Sequence, residues 1–361
     1  MEMIKGIILH GGHGTRLRPL TYTRPKQLLP IANVPMSLYS VNSLKNAGIT
    51  NIAMIIGGDN SSKVREYYGE GEKFGVKITY IVQDEPRGIA HAIGLCKNFI
   101  GNDKFVVFLG DNILLKDISD NITRFSNSND AAKIFLCEVS NPAQFGIADI
   151  TQNGKIKKII EKPRNPPTNL AVIGIYFLSP TIFEVIEKLK PSWRNELEIT
   201  DALQMLLEKD KPISYDIITN YWKDTGTVAD IIDANKTILE NMVPYFKGQK
   251  DDNVVITGKV MVGHNSYIKD GARINGPVII GENCVIDGTV HLGPNTSIGN
   301  NSKISNCKID NSIIMDGCII DCRINLTNSI ISHNSKITSN KEEKSVLILG
   351  EDNKIVLNSS P

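Results

Sequence analysis

Leu9-His10-Gly11-Gly12-His13-Gly14-Thr15-Arg16-Leu17-Arg18-Pro19 is the stretch of this chain whose residue types and spacing most plainly suit chemistry. A glycine-rich turn after a strand lets backbone N–H groups approach phosphate oxygens, because no Cβ stands in the way. The turn lacks the GxGxxG spacing of a dinucleotide-binding loop and the closing Gly-Lys-Ser/Thr of a P-loop. Arg16 lies within it, and Lys26 follows in Pro25-Lys26-Gln27-Leu28-Leu29-Pro30. Two cations and a glycine turn in one short stretch are what a triphosphate needs. A plain turn between strand and helix is the alternative. His10 and His13 beside the loop read as packing or solvated residues rather than catalysts.

Strands and helices that could hold this loop alternate through the first two-thirds of the chain. Lys5–His10, Asn51–Ile56, Lys77–Val82 and Lys104–Leu109 read as strands, and Ser37–Ala47 and Gly88–Asn98 as helices. Such alternation predicts βαβ units and a mainly parallel, Rossmann-like sheet. Ligands of these sheets lie at the carboxyl ends of the strands, where the Gly11–Thr15 and Gly110–Asn112 turns fall here.

The last third has a different period. Ile256, Val262, Ile268, Ile274, Ile280, Ile286, Leu292, Ile298 and Ile304 recur every sixth position. A smaller residue stands two positions before most of them, from Val260 and Ser266 to Thr296 and Ser302. Neither a helix nor an ordinary strand has this period; it is that of a hexapeptide-repeat parallel β-helix. Ile309, Ile314, Ile320, Leu326, Ile331 and Ile337 continue the series with spacings of five and six. The aliphatic residues are expected inside and the intervening polar ones in water. These patterns divide the chain into an α/β domain over 1–243, a linker over 244–253 and a β-helix with a cap over 254–361. The β-helix is expected to serve assembly and stability.

Composition limits the partners. The 361 residues carry 40 Lys plus Arg against 39 Asp plus Glu, a formal charge of +1, which argues against nucleic-acid binding by bulk basicity. No run approaches the roughly 20 apolar residues of a membrane helix, and the N-terminus lacks the pattern of a signal peptide. The six cysteines form no CxxC pair and read as buried small hydrophobes of a cytoplasmic protein.

Taken together, Gly-Gly-x-Gly-Thr-Arg-Leu-x-Pro-Leu-Thr at 11–21 and Pro-Lys-Gln-Leu-Leu-Pro at 25–30 resemble the sugar-phosphate nucleotidylyltransferase family. Further stretches agree in order: Val82-Gln83 with Gly88-Ile89-Ala90, Leu109 to Asn112, Phe145-Gly146, Glu161-Lys162-Pro163, Val172 to Tyr176, Arg194 to Asp201 and Trp222 to Gly226. The chain departs from the family at His10, at His13 and at Asn195, where a glycine is usual. The nearest resemblance is to the thymidylyltransferases of glucose 1-phosphate that carry a C-terminal left-handed β-helix.

The resemblance implies that a sugar 1-phosphate attacks the α-phosphorus of dTTP and pyrophosphate leaves. The protein's work is then positioning and charge neutralisation. On this reading Arg16 and Lys26 are catalytic. Leu9, Gly11, Gly12, Gly14, Thr15, Gln27, Gln83, Gly88 and Asp111 bind the nucleotide. Gly146, Glu161, Lys162, Val172, Arg194 and Trp222 bind the sugar phosphate. Asp111 and Asp224 hold Mg²⁺, a hard cation suited to carboxylate and phosphate oxygens. Taken singly, Asp111 could be a turn-former and Asp224 a cap residue. The dTTP assignment rests on the resemblance, because thymine and uracil differ by one methyl. UTP, or N-acetylglucosamine 1-phosphate, is the near alternative. An acetyltransferase site on the β-helix, with His264, His291 or His333, and a non-catalytic nucleotide-sugar-binding protein are the others. The expected partners are these small molecules and further copies of the chain, with no nucleic acid and no membrane.

Overall fold

A computed structural model describes residues 4–12, 14–58, 61–323, 325–339, 344–345, 348–351 and 354–357. His13 therefore lies outside the described residues. The chain forms two compact units: residues 1–13 with 37–224, and residues 14–36 with 225–361.

The first unit is built on a sheet with nine strands among the described residues. Lys5–Leu9 runs parallel between Asn51–Ile56 and Phe105–Leu109, and Lys77–Val82 lies parallel beyond Asn51–Ile56. The three inner strands are nearly continuous apolar runs, KGIIL, NIAMII and FVVFL, as strands covered on both faces require. Beyond Phe105–Leu109 the sheet turns antiparallel. Leu170–Leu178 pairs there, with Ala132–Glu138 antiparallel on its other side and Ile213–Ile217 running parallel to that strand outside it. The expected sheet is thus present, widened by strands the alternation did not reveal. The expected helix over 88–98 is two short ones, Ile89–Gly94 and Lys97–Ile100. The bond from Cys96 N to Ile93 O tightens the turn between them. Gly94 meets the Ile186 side chain so closely that a Cβ would lie 3.2 Å from it.

The second unit holds three all-parallel sheets, which together make the left-handed parallel β-helix. Successive coils pair in register, Ile268 with Ile286 and Ile286 with Ile304. Every aliphatic residue of the six-residue series from Val262 to Ile304 is buried, and so are Ile309, Ile314, Ile320, Leu326, Ile331 and Ile337. Asparagines in the left-handed conformation turn the corners, at 265, 283, 301 and 334 among others. Asn tolerates that backbone better than other residues with a Cβ. Asn265 donates to Asn283 and Asn283 to Asn301, at 3.2 and 3.3 Å, so one corner is tied coil to coil.

Two expectations are corrected here. The segment 244–253 is not a linker: Tyr245–Phe246 and Gln249–Lys250 pair with Met261-Val262 and Tyr267-Ile268, forming the first coil. Nor are all the outward positions of the β-helix in water. Met261, Ile279, Ser297, Ile313 and Ile330 point outward from one sheet and are buried. The helix Val228–Asn241, started by a capping box of Thr227 and Asp230, packs against this sheet. Its buried Asn235 accepts from Ser297 Oγ and from Ala32 N at 2.6 and 2.8 Å, and donates to Asn295 O. Asn33 donates to Ile298 O at 2.7 Å. Residues 14–36, which include Arg16 and Lys26, thereby belong to the β-helical unit.

Among the described residues no helix is long and apolar enough to cross a membrane. Cys96, Cys137, Cys284, Cys307 and Cys318 are not joined in disulfides.

Candidate active site

In the first unit, the predicted nucleotide-binding residues lie at or just beyond the carboxyl ends of the parallel strands. Leu9 is buried at the end of its strand and accepts from Gly110 N at 2.9 Å, which ties the two expected ligand turns together. Gly11 and Gly12 follow, Gly12 with φ of 92°. Gln83, at the end of the neighbouring strand pair, is 7% exposed, and a Cβ on Gly11 would lie 3.6 Å from its Oε1. Gln83 Nε2 lies 3.3 Å from Gly88 O and 2.9 Å from His91 Nδ1. Gly88 has a structural reason to be glycine besides ligand access. Its φ is 103°, and a Cβ there would strike Leu197 O at 2.5 Å.

His10 is buried with neither ring nitrogen hydrogen-bonded among the described residues. Its ring meets Tyr68 edge-on at 5.9 Å, and Tyr68 bonds Ser37 at 2.7 Å. Burial holds its pKa down at about 3 against the opposing pull of the Asp111 charge, so it is a neutral packing residue at ordinary pH.

The two expected metal carboxylates lie at one end of a two-stranded ribbon. Asn112–Leu114 pairs antiparallel with Trp222–Asp224, and Asp224 stands directly opposite Asn112. Asp111, buried, precedes Asn112 and accepts from its Nδ2 at 3.1 Å. Trp222 Nε1 donates to Asn112 Oδ1 at 2.8 Å, so the Asn112 amide is fixed from both ends. Phe145 packs edge-on against Trp222 at 5.9 Å. Asp111 and Asp224 would offer carboxylate oxygens, the donors preferred by a hard divalent cation completed by phosphate oxygens.

A second polar group lies around Glu161. Arg194 reaches Glu161, Glu196 and Glu198 at 3.4, 3.0 and 3.3 Å. Thr200 donates to Glu161 Oε2 at 3.0 Å, and Lys162 Nζ lies 3.9 Å from Glu161 Oε1. Burial, then the Glu198 charge, raises the Glu161 pKa, while Thr200, Lys162 and Arg194 oppose the rise. A Cβ on Gly146 would lie 2.4 Å from Thr200 Cγ2 and 3.2 Å from Glu161, so glycine is needed beside this carboxylate. Lys162 holds φ at 40°, a strained backbone for a residue with a side chain. Asn195, the departure from the family's glycine, has φ of 60° and takes the left-handed conformation that a glycine would. Val172 is only 6% exposed and packs in the sheet core.

In the second unit Gly14, with φ of 59°, opens a single 3₁₀ turn over Thr15–Leu17. Thr21 Oγ1 donates to Gly14 O at 2.7 Å and closes the loop. The exposed Arg16 guanidinium lies over Gly226, where a Cβ would come within 2.9–3.2 Å of it. Lys26–Leu28 forms another 3₁₀ turn, in which Lys26 is half-buried and Gln27 buried. Glu198, Thr200 and His91 were not singled out from sequence; the first two lay within the quoted Arg194–Asp201 run.

Comparisons with known proteins bear on the family and the fold. Residues 5–241 match the family described as nucleotidyl transferase. Residues 274–358 match the GMPPB C-terminal domain. The low-salt glycan biosynthesis nucleotidyltransferase Agl11 of Haloferax volcanii is 43% identical over 98% of this chain and 100% of its own length. A glucose-1-phosphate thymidylyltransferase of Streptomyces antibioticus is 38% identical over 99% and 100%. The crystal structure of a Bacillus anthracis protein assigned as a glucose-1-phosphate thymidylyltransferase, in complex with sucrose, superposes with a TM-score of 0.62. It is 42% identical and covers 68% of this chain and 98% of its own. The chain belongs to the nucleotidyl transferase family.

Proposed function

We propose that the enzyme transfers the thymidylyl group of dTTP to glucose 1-phosphate, releasing pyrophosphate and forming dTDP-glucose. The observation that carries this reading is the ribbon that brings Asp111 and Asp224 within one residue of register. The polar group of Glu161, Lys162 and Arg194 in the same unit supports it. The full-length similarity to the Streptomyces antibioticus enzyme supports the choice of substrates.

In this mechanism no covalent enzyme intermediate forms. Arg16 and Lys26 neutralise the triphosphate, Arg16 toward the departing pyrophosphate and Lys26 toward the α-phosphate. Lys162 and Arg194 hold the attacking phosphate, and Glu161 accepts from sugar hydroxyls. Asp111 and Asp224 would hold Mg²⁺, which when bound neutralises phosphate charge. Gly11 and Gly12 admit the nucleotide to the strand ends, and Gln83 meets the base. These are cytoplasmic metabolites, and we place the enzyme there, as a homo-oligomer.

The test is pyrophosphate release from the purified chain, with dTTP, UTP, CTP and ATP each offered glucose 1-phosphate and N-acetylglucosamine 1-phosphate. The fastest turnover is expected with dTTP and glucose 1-phosphate. Faster turnover with another pair would replace the substrate assignment, and no release with any pair would overturn the catalytic reading.

A further inference from the structure

We propose that His91 is a positioning residue for base selection. It fixes the Gln83 amide so that the carbonyl oxygen, not the NH₂ group, faces the nucleobase, and so favours a pyrimidine with an N–H at position 3. The inference rests on the reading that Gln83 meets the base of a nucleoside triphosphate.

A glutamine amide can sit in two orientations related by a half-turn, one presenting a donor and the other an acceptor. A site that reads a base edge must choose between them. Here the surroundings make the choice. Gly88 O, 3.3 Å away, can only accept, so the amide atom facing it is the NH₂ nitrogen. The other proton of that nitrogen goes to His91 Nδ1 at 2.9 Å. Nδ1 must then be the bare nitrogen of a neutral imidazole, with its proton on Nε2. Both amide protons are committed, and Gln83 Oε1 has no hydrogen-bond donor among the described residues. It lies over Gly11, 3.6 Å from where a Cβ would be.

Both sides of this pair are held. Gln83 N donates to Ile56 O at 2.8 Å. The helix Ile89–Gly94 that carries His91 is anchored by Ala90 N to Leu197 O, and Leu197 N in turn donates to Arg87 O. Thymine and uracil offer an N3–H donor to an acceptor so placed. Cytosine offers a bare nitrogen, which sets lone pair against lone pair. The device separates thymine and uracil from cytosine and is blind to the thymine methyl.

The test uses the full chain and two readouts: direct calorimetric binding of UTP, dTTP and CTP, and pyrophosphate release. His91→Phe keeps the bulk of the ring and removes the acceptor. The ratio of UTP to CTP affinity is expected to fall about 5- to 10-fold, the factor of one ordinary hydrogen bond. The loss should appear in KM with kcat nearly unchanged, because the base is remote from the reacting phosphorus. His91→Gln, whose amide oxygen can accept, should restore the ratio. An unchanged ratio in a folded His91→Phe protein would overturn the inference and leave nucleotidyl transfer standing. Conversely, a wild-type chain that releases no pyrophosphate, yet prefers UTP over CTP in binding through His91, would sink the transfer reading and keep this one. Independently of any variant, ¹⁵N NMR of the wild-type imidazole should find Nδ1 unprotonated at neutral pH; a proton on Nδ1 would refute the proposal.

Discussion

The α/β sheet and the β-helix bury the same kinds of residue in opposite ways. In the β-helix, Ile268, Ile286 and Ile304 sit above one another in successive coils, and each is buried by its neighbours in the stack. In the sheet, Ile7, Ala53 and Val107 are buried because the strands are covered on both faces by segments distant in sequence. A stack repeats and leaves every strand end alike. A doubly covered sheet makes each strand end different, and the chemistry collects there: Gly11 after one strand, Gln83 after another, Asp111 after a third. Regularity thus stabilises the β-helix, while irregular strand ends supply the groups that meet ligands.

The sharpest break in that comparison is expected at the carboxylate ribbon. Asp111→Asn and Asp224→Asn should each lower turnover by roughly 10³, as expected when charge stabilisation at a transferring phosphate is lost. Circular dichroism and melting temperature should stay near wild type, because neither side chain is part of the hydrophobic core. Turnover that persists in these variants, or in excess chelator, would remove the metal role.

The second unit blurs the division, since Arg16 and Lys26 belong with the β-helix. From sequence, a chain ending at Tyr245 should keep its activity, because every catalytic candidate precedes that point. The structure reverses the expectation: the cut removes Ile298, which anchors Asn33, and Ser297, which anchors Asn235. The truncated chain should lose turnover by the roughly 10²–10³ expected of Lys26→Ala itself. The full-length Lys26→Ala protein should melt at the wild-type temperature. Full activity in a soluble truncated protein would show that residues 14–36 need no β-helix.

Ile286→Ala probes the regular half alone. Removing a buried aliphatic side chain costs about 2–5 kcal/mol. The melting temperature should fall with no change in kcat at temperatures where the protein stays folded. A loss of kcat at such temperatures would mean that the stack has a role in the chemistry.

What could be read from the sequence follows the same division. The series from Val262 to Ile337 was legible because every coil repeats one packing demand, and its burial is complete. The glycine turn after Leu9 was legible because phosphate approach needs a missing Cβ. The covered outer face was missed, although the apolar runs Val260–Val262 and Val278–Ile280 carried a trace of it, since two neighbouring apolar residues on a strand cannot both point inward. Other features leave no periodic trace. The Asn235 hub joins residues 32, 235 and 297, and no local pattern records such a contact. Glu198 and Thr200 acquire meaning only when Glu161 is folded against them, and His91 only when the strand end brings Gln83 beside it.

The smallest expected effect concerns His10, the departure in the glycine-rich loop. Its pKa is lowered by burial to about 3 in the folded chain, against 6.5 for an ordinary histidine. Between these values the unfolded chain binds a proton that the folded chain excludes, so stability falls as the pH drops below 6.5. At pH 5 this linkage amounts to about 2 kcal/mol, and at pH 8 it vanishes. His10→Ser should therefore lose less stability than wild type between pH 8 and pH 5, as measured by urea unfolding at both. Its cavity costs stability at both pH values and cancels in that difference. Parallel losses in the two proteins would mean that the ring is charged or hydrated in the folded state. His10 would then be a polar part of the nucleotide loop rather than the packing behind it.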